Sequence, residues 1–80
     1  MDEKALKITL EQVKQFLAAH FRVPADDIST DISFGDLPNW DSLGHMSLMA
    51  ALETSFGVEV NADAIADLTN IDAIYKYINK

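Results

Sequence analysis

Eighty residues, with thirteen acids against six Lys and Arg for a net charge of −7 and no cysteine, leave room in this sequence for one acidic domain, and a multidomain enzyme is not expected. A chain this short buries only about 60% of the surface its unfolded form exposes, and ordering it costs about 1.5 kcal/mol per residue, so its packing must be efficient. Neither a disulfide nor a Cys-based zinc site can assist, and any thiol chemistry requires a sulfur that arrives on a cofactor.

Residues 1–7 carry four charges and no apolar core, so the segment reads as neither a signal peptide nor a membrane span, and the chain is expected in the cytoplasm. A first helix is predicted from about residue 10 to Phe21. Thr9 and Gln12 have capping-box spacing, and Ile8 is placed to staple onto Val13. Leu10, Val13, Phe16, Leu17 and Phe21 recur on one face and leave Glu11, Lys14, Gln15 and Ala18 outward. His20, near the C-terminal end, is expected to complement the helix dipole.

From Arg22 to Asp41 the periodicity dissolves into Pro24, Gly35, Pro38 and short polar residues. A structureless loop this long is uncommon in a compact domain, so Ile28, Ile32, Phe34 and Leu37 are expected to pack it onto the helices. A second helix is predicted from Leu43 to Phe56, stopped by Gly57, with His45, Leu48, Met49, Leu52 and Phe56 inward. Its opposite face presents Leu43, Met46, Ser47, Ala50 and Thr54, an uncharged stripe on an acidic protein.

Val58 and Val60 flank Glu59 in a short extended piece, and Asn61 can cap a brief helix from Ala62 to about Leu68. Thr69, with Asp72 three residues on, is expected to open a last helix that turns Ile71, Ile74, Tyr75 and Ile78 to the core. The fold class is all-α: three main helices plus one short helix, with a long structured loop after the first. Residues 1–80 are expected to form a single domain.

Trp40-Asp41-Ser42-Leu43 puts a hydroxyl at a helix start, where four backbone N–H groups lack partners and the dipole favours negative charge. A phosphate ester on Ser42 suits that place. Serine and aspartate are also favoured N-caps, so the tetrapeptide by itself leaves capping open as the whole explanation.

Taken together, Asp36-Leu37, Asp41-Ser42-Leu43, Leu48 to Leu52, Phe56-Gly57-Val58 and the closing Ile74-Tyr75-Lys76-Tyr77-Ile78 resemble an acyl carrier protein over nearly the whole chain. The resemblance implies an acyl-carrier-like bundle with no catalytic activity of its own. It implies 4′-phosphopantetheine, from coenzyme A, attached covalently to Ser42, with cargo held as a thioester on the arm. It gives Asp41 a part in positioning the metal and substrate of the modifying enzyme, and makes Leu43 and Met46 partner contacts, to which the exposed stripe adds Ser47 and Ala50.

Implied partners are a phosphopantetheinyl transferase, an acyl- or aminoacyl-loading ligase and a downstream synthase or transferase, visited by a monomer. Residues 43–56 hold a single acid, Glu53, and Trp40 is bulkier than the residues usual beside the serine. With the three residues Pro38, Asn39 and Trp40 between Asp36-Leu37 and Asp41, one more than usual, these departures look more like a free-standing carrier of a specialised pathway, such as polyketide, nonribosomal peptide or saccharide-modifying assembly, than like a carrier of fatty-acid synthesis. The alternative is an unmodified acidic interaction module that docks through Leu43, Met46 and Ala50.

Other constellations carry less. The six basic residues are scattered, which disfavours nucleic acid and anionic membrane surfaces and leaves Tyr75 and Tyr77 without a base-stacking context. Asp26, Asp27, Asp31 and Asp36 have the look of a calcium loop, but aligning Gly35 puts Ile32 and Phe34 at ligand positions. Ser42 and His45 are three apart with no third orienting group, so a hydrolase has little support, and His45 is expected to be a satisfied interior residue. Trp40 either covers the core or braces the arm.

Overall fold

The computed structural model describes residues 7–79, so most of the charged segment 1–7 lies outside the described residues. Four helices are formed among them: α1 (Leu10–Phe21), α2 (Ser42–Phe56), α3 (Ala62–Asp67) and α4 (Ile71–Ile78). There is no strand among the described residues, and residues 57–60 join α2 to α3 without regular structure. The all-α expectation of three main helices, one short helix and a long structured loop is borne out.

Local chemistry sets α1. Gln12 N–H donates to Thr9 Oγ1 at 3.1 Å and Thr9 N–H to Gln12 Oε1 at 2.8 Å, which completes the capping box. The Asn79 side-chain amide clamps this entry to the far end of the chain, accepting from Ile8 N–H at 2.9 Å and donating to the Ile8 carbonyl at 2.7 Å. Val13, Leu17 and Phe21 are buried as expected, while Leu10 and Phe16 are half-buried. Ala18 departs from the expected outward placement: it is buried with the core, and the 3-10 turn Ala25–Asp27 packs against α1. The helix closes on Arg22 at φ 60°, a left-handed position usually filled by glycine or asparagine.

The long loop is anchored at both faces. Ile28, Ile32 and Leu37 enter the core with Trp40, the largest fully buried side chain. Two backbone bonds, Phe34 N–H to the Thr69 carbonyl at 2.7 Å and Ile71 N–H to the Ile32 carbonyl at 3.1 Å, tie the loop to the junction of α3 and α4. That tie corrects the predicted start of α4. Thr69 is spent on the loop, and Asn70 caps the helix instead, its Oδ1 accepting from Ala73 N–H at 2.8 Å. Asn61 caps α3 as expected, accepting from Ala64 N–H at 2.9 Å.

Phe34 is a second correction. It was expected in the core but stays exposed. Ser33 to Asp36 form a tight turn closed by Asp36 N–H to the Ser33 carbonyl at 2.9 Å, with Gly35 at φ 92°. Glycine at that place and φ makes the turn type II, and Phe34 occupies its outward corner.

Candidate functional site at the start of the second helix

The N-cap of α2 is Asp41, whose Oδ1 accepts from Gly44 N–H at 2.9 Å. Ser42 is therefore the first helical residue and not the cap. Its side chain is exposed, and its hydroxyl makes no hydrogen bond among the described residues. The backbone N–H groups of Ser42 and Leu43 are likewise without acceptors there, two donors at the positive end of a fifteen-residue helix. An unbonded hydroxyl beside two open donors fits a phosphodiester, which offers the acceptor oxygens those donors lack.

This arrangement separates two substitutions that the sequence leaves entangled. Asp41→Ala should cost about 1 kcal/mol through loss of the cap. Ser42→Ala should stay within about 0.5 kcal/mol of wild type, as a surface change with no partner to lose. Urea denaturation of the two variants checks this, and a larger loss for Ser42→Ala would mean that serine is the cap after all.

The loop that delivers Ser42 is fixed from beneath. Trp40 stacks on Phe21 at 5.5 Å between ring centroids, and His45 lies beside it at 6.4 Å with its ring tilted by 21°, where the indole N–H donates to His45 Nδ1 at 3.1 Å. An indole nitrogen can only donate, so Nδ1 accepts and Nε2 carries the proton, donated to the Ile65 carbonyl at 2.8 Å. His45 is the satisfied interior residue that was expected, and it joins the loop, α2 and α3. Both its ring nitrogens are engaged away from Ser42, which removes the base that a Ser42–His45 hydrolase needs. Of the two readings of Trp40, core cover is the one realised.

Asn39 adds a further tie, its side-chain amide donating to the Phe21 carbonyl at 3.3 Å. Close approach does the rest. A Cβ on Gly44 would lie 1.8 Å from the Asn39 carbonyl oxygen, so only glycine lets the loop pass this near the first turn of α2. Gly44 is a site feature beyond those expected from the sequence; a glycine inside a helix, away from its C-terminus, is the signal that a backbone passes close by.

Leu43, Met46, Ser47, Ala50 and Thr54 are exposed as expected, Leu43 at 83%. Glu53, the one acid on α2, accepts from Val60 N–H at 2.9 Å and so serves the α2–α3 connection. Phe34 is not among the residues that the sequence places near Ser42. It lines an open hollow of about 330 Å³ with Ser42, His45, Met46 and Thr69. A larger hollow of about 530 Å³ lies on the other side of the helix start, among His20, Arg22, Asn39, Gly44 and Ser47. There, burial holds the His20 imidazole below its ordinary pKa, so the charge expected to complement the α1 dipole is disfavoured by desolvation.

No group of three or more His, Cys, Asp or Glu side chains converges among the described residues. No helix among them is long and apolar enough to cross a membrane.

A family model described as a phosphopantetheine attachment site matches residues 11–78. The chain belongs to the phosphopantetheine-attachment family. Its prosthetic group is 4′-phosphopantetheine, covalently attached, and its role is that of a carrier. Carrier domains of this family are non-catalytic, are modified by a phosphopantetheinyl transferase and interact with biosynthetic enzymes. The match supports the carrier reading over the unmodified docking module, which has no place for that group.

Proposed function

We propose that Ser42 is the attachment point and that residues 1–80 act as one carrier domain in the cytoplasm, presenting thioester-bound acyl or aminoacyl intermediates to successive enzymes. The observation that carries this reading is the division of labour at the helix start: Asp41 takes the cap, and the Ser42 hydroxyl is left exposed and unbonded. Ser42 Oγ acts as the nucleophile toward the coenzyme A pyrophosphate, gaining a bond to phosphorus as it loses its proton, with adenosine 3′,5′-bisphosphate leaving. Asp41 has a second carboxylate oxygen with no bond among the described residues, available to the modifying enzyme's metal. The first-turn N–H groups of Ser42 and Leu43 hold the new phosphodiester. The bound arm supplies a terminal thiol that forms the thioester with cargo.

The surface around Ser42 supports partner choice by apolar contact. Leu43, Met46, Ser47 and Ala50 form an exposed, uncharged face, and the one acid of the helix is turned to the chain's own backbone. Such a face suits a loading ligase and a synthase or transferase of a specialised pathway better than partners recruited by charge. The tether then raises the effective concentration of cargo at each active site.

The absence of cysteine gives a direct test. Incubated with coenzyme A, magnesium and a phosphopantetheinyl transferase, then freed of small molecules, the wild-type protein should titrate as one thiol per chain and Ser42→Ala as none. A full thiol equivalent on Ser42→Ala would remove the assignment.

A further inference from the structure

We propose that the hollow formed by Phe34, Met46 and Thr69 beside Ser42 is a resting site for the arm's pantoyl segment, with its geminal methyl groups against the Phe34 ring; this rests on attachment at Ser42. The hollow is continuous with the attachment point, because Ser42 is part of its lining. Its other walls are an aromatic ring, a thioether, the carbon side of an imidazole and a threonine, a surface that accepts hydrocarbon and offers an anion little.

Phe34 is the unusual member. It is 43% exposed, on a turn whose other nearby apolar residues, Ile32 and Leu37, are buried. It is nevertheless held in place. Its N–H donates to the Thr69 carbonyl, Gly35 sets the turn, and its ring stands edge-on to His45 at 5.6 Å and 86°. His45 is itself fixed through both ring nitrogens. The wall therefore exists before any ligand arrives, and occupying it orders no protein segment.

Chemistry selects the occupant. Along 4′-phosphopantetheine from the serine oxygen, the phosphodiester comes first and the dimethyl-substituted pantoyl carbon is the first apolar group. The phosphodiester matches the open N–H groups at the head of α2, which leaves the geminal methyls next to the adjoining apolar wall. A tethered group also has an effective concentration that a free apolar molecule in water does not reach. Resting there limits the swing of the arm near its root and covers exposed Phe34 and Met46 between encounters with enzymes.

The test uses holo protein alone, so no partner can fill the hollow, and intact mass records attachment independently. In isotope-edited NMR spectra the pantoyl methyl protons should show nuclear Overhauser contacts to the Phe34 ring and the Met46 methyl. They should also resonate upfield of their position in free coenzyme A. Phe34→Ala should gain the same mass while its pantoyl methyls return to the free position. Phe34→Leu should keep the contact and lose the upfield shift, since it retains an apolar wall without a ring current. Full mass gain on wild type with pantoyl methyls at their free position and no contacts overturns this proposal alone. No mass gain on wild type overturns the attachment at Ser42 together with it.

Discussion

Trp40→Ala is expected to remove about 4 kcal/mol of folding stability, within the range for deleting a fully buried large aromatic. At roughly 0.05–0.15 kcal/mol per residue, a domain of this size has about 4–12 kcal/mol in total, so the variant should lose a third or more of its stability. Three contacts set the magnitude. The indole has no exposed surface, it stacks on Phe21 and abuts His45, and its N–H bond to His45 Nδ1 holds the imidazole that in turn binds the Ile65 carbonyl. Truncation therefore opens a cavity and also leaves a buried ring nitrogen without its donor, which adds a desolvation cost.

Trp40→Phe separates the two effects. It keeps most of the stacking and loses the hydrogen bond, so it should cost about 1–3 kcal/mol, the range for an orphaned buried acceptor. Circular dichroism in urea is the suitable readout, because the tryptophan itself is lost. A Trp40→Ala variant within about 1 kcal/mol of wild type would mean that the site's loop is held by something other than this stack.

Gly44→Ala is the second large effect, and here two influences oppose each other. Alanine in a helix interior is favoured over glycine by about 1 kcal/mol, which by itself predicts a more stable protein. Steric conflict wins. The added Cβ would meet a backbone carbonyl oxygen at 1.8 Å, and the Asn39 carbonyl cannot rotate away as the end of a flexible side chain could. Relief requires the loop to move off α2, which disturbs the Asn39 bond to the end of α1 and the seat of the adjacent Trp40. Overpacking costs about 1–3 kcal/mol, and an overlap this deep with a backbone atom belongs at the top of that range, so after the helix gain we expect a net loss of about 2 kcal/mol. Transferase loading should also slow if Ser42 is the attachment point as proposed, since the displaced segment leads directly into Ser42. A stabilised Gly44→Ala variant with unchanged loading would show that the close approach is not what places the loop.

Local signals carried far in this chain. The capping box at Thr9 and Gln12, the Asn61 cap, the inward face of α2 and the exposed Leu43–Met46–Ala50 stripe depend on residues within a turn or two of one another, and all were legible. Errors arose where a distant backbone intervened. Thr69 looks like a cap, but its carbonyl is taken by Phe34 N–H, and Asn70 replaces it. Ala18 lies on the nominal outer face of α1 yet is buried, in a helix against which the turn at Ala25–Asp27 packs.

Phe34 is the instructive miss. Hydrophobicity alone sends it inward, whereas Gly35 beside it permits the turn that sends it out. At the candidate site, the tripeptide Asp41-Ser42-Leu43 was legible, but the distribution of roles within it was not. Both Asp41 and Ser42 are capable caps, and only the Asp41 Oδ1 bond to Gly44 N–H frees the serine.

The measurement that bears most directly on this account is tandem mass spectrometry of proteolytic peptides from the transferase-treated wild-type protein, locating the added group to a residue. Ser47, on the same exposed face of α2, is the built-in control, being a hydroxyl of the same kind without the helix-start donors. The account predicts one 4′-phosphopantetheinyl group on Ser42 and none on Ser47. A group found on Ser47 or any other residue, or no group on a folded protein that began in the apo form, would contradict it.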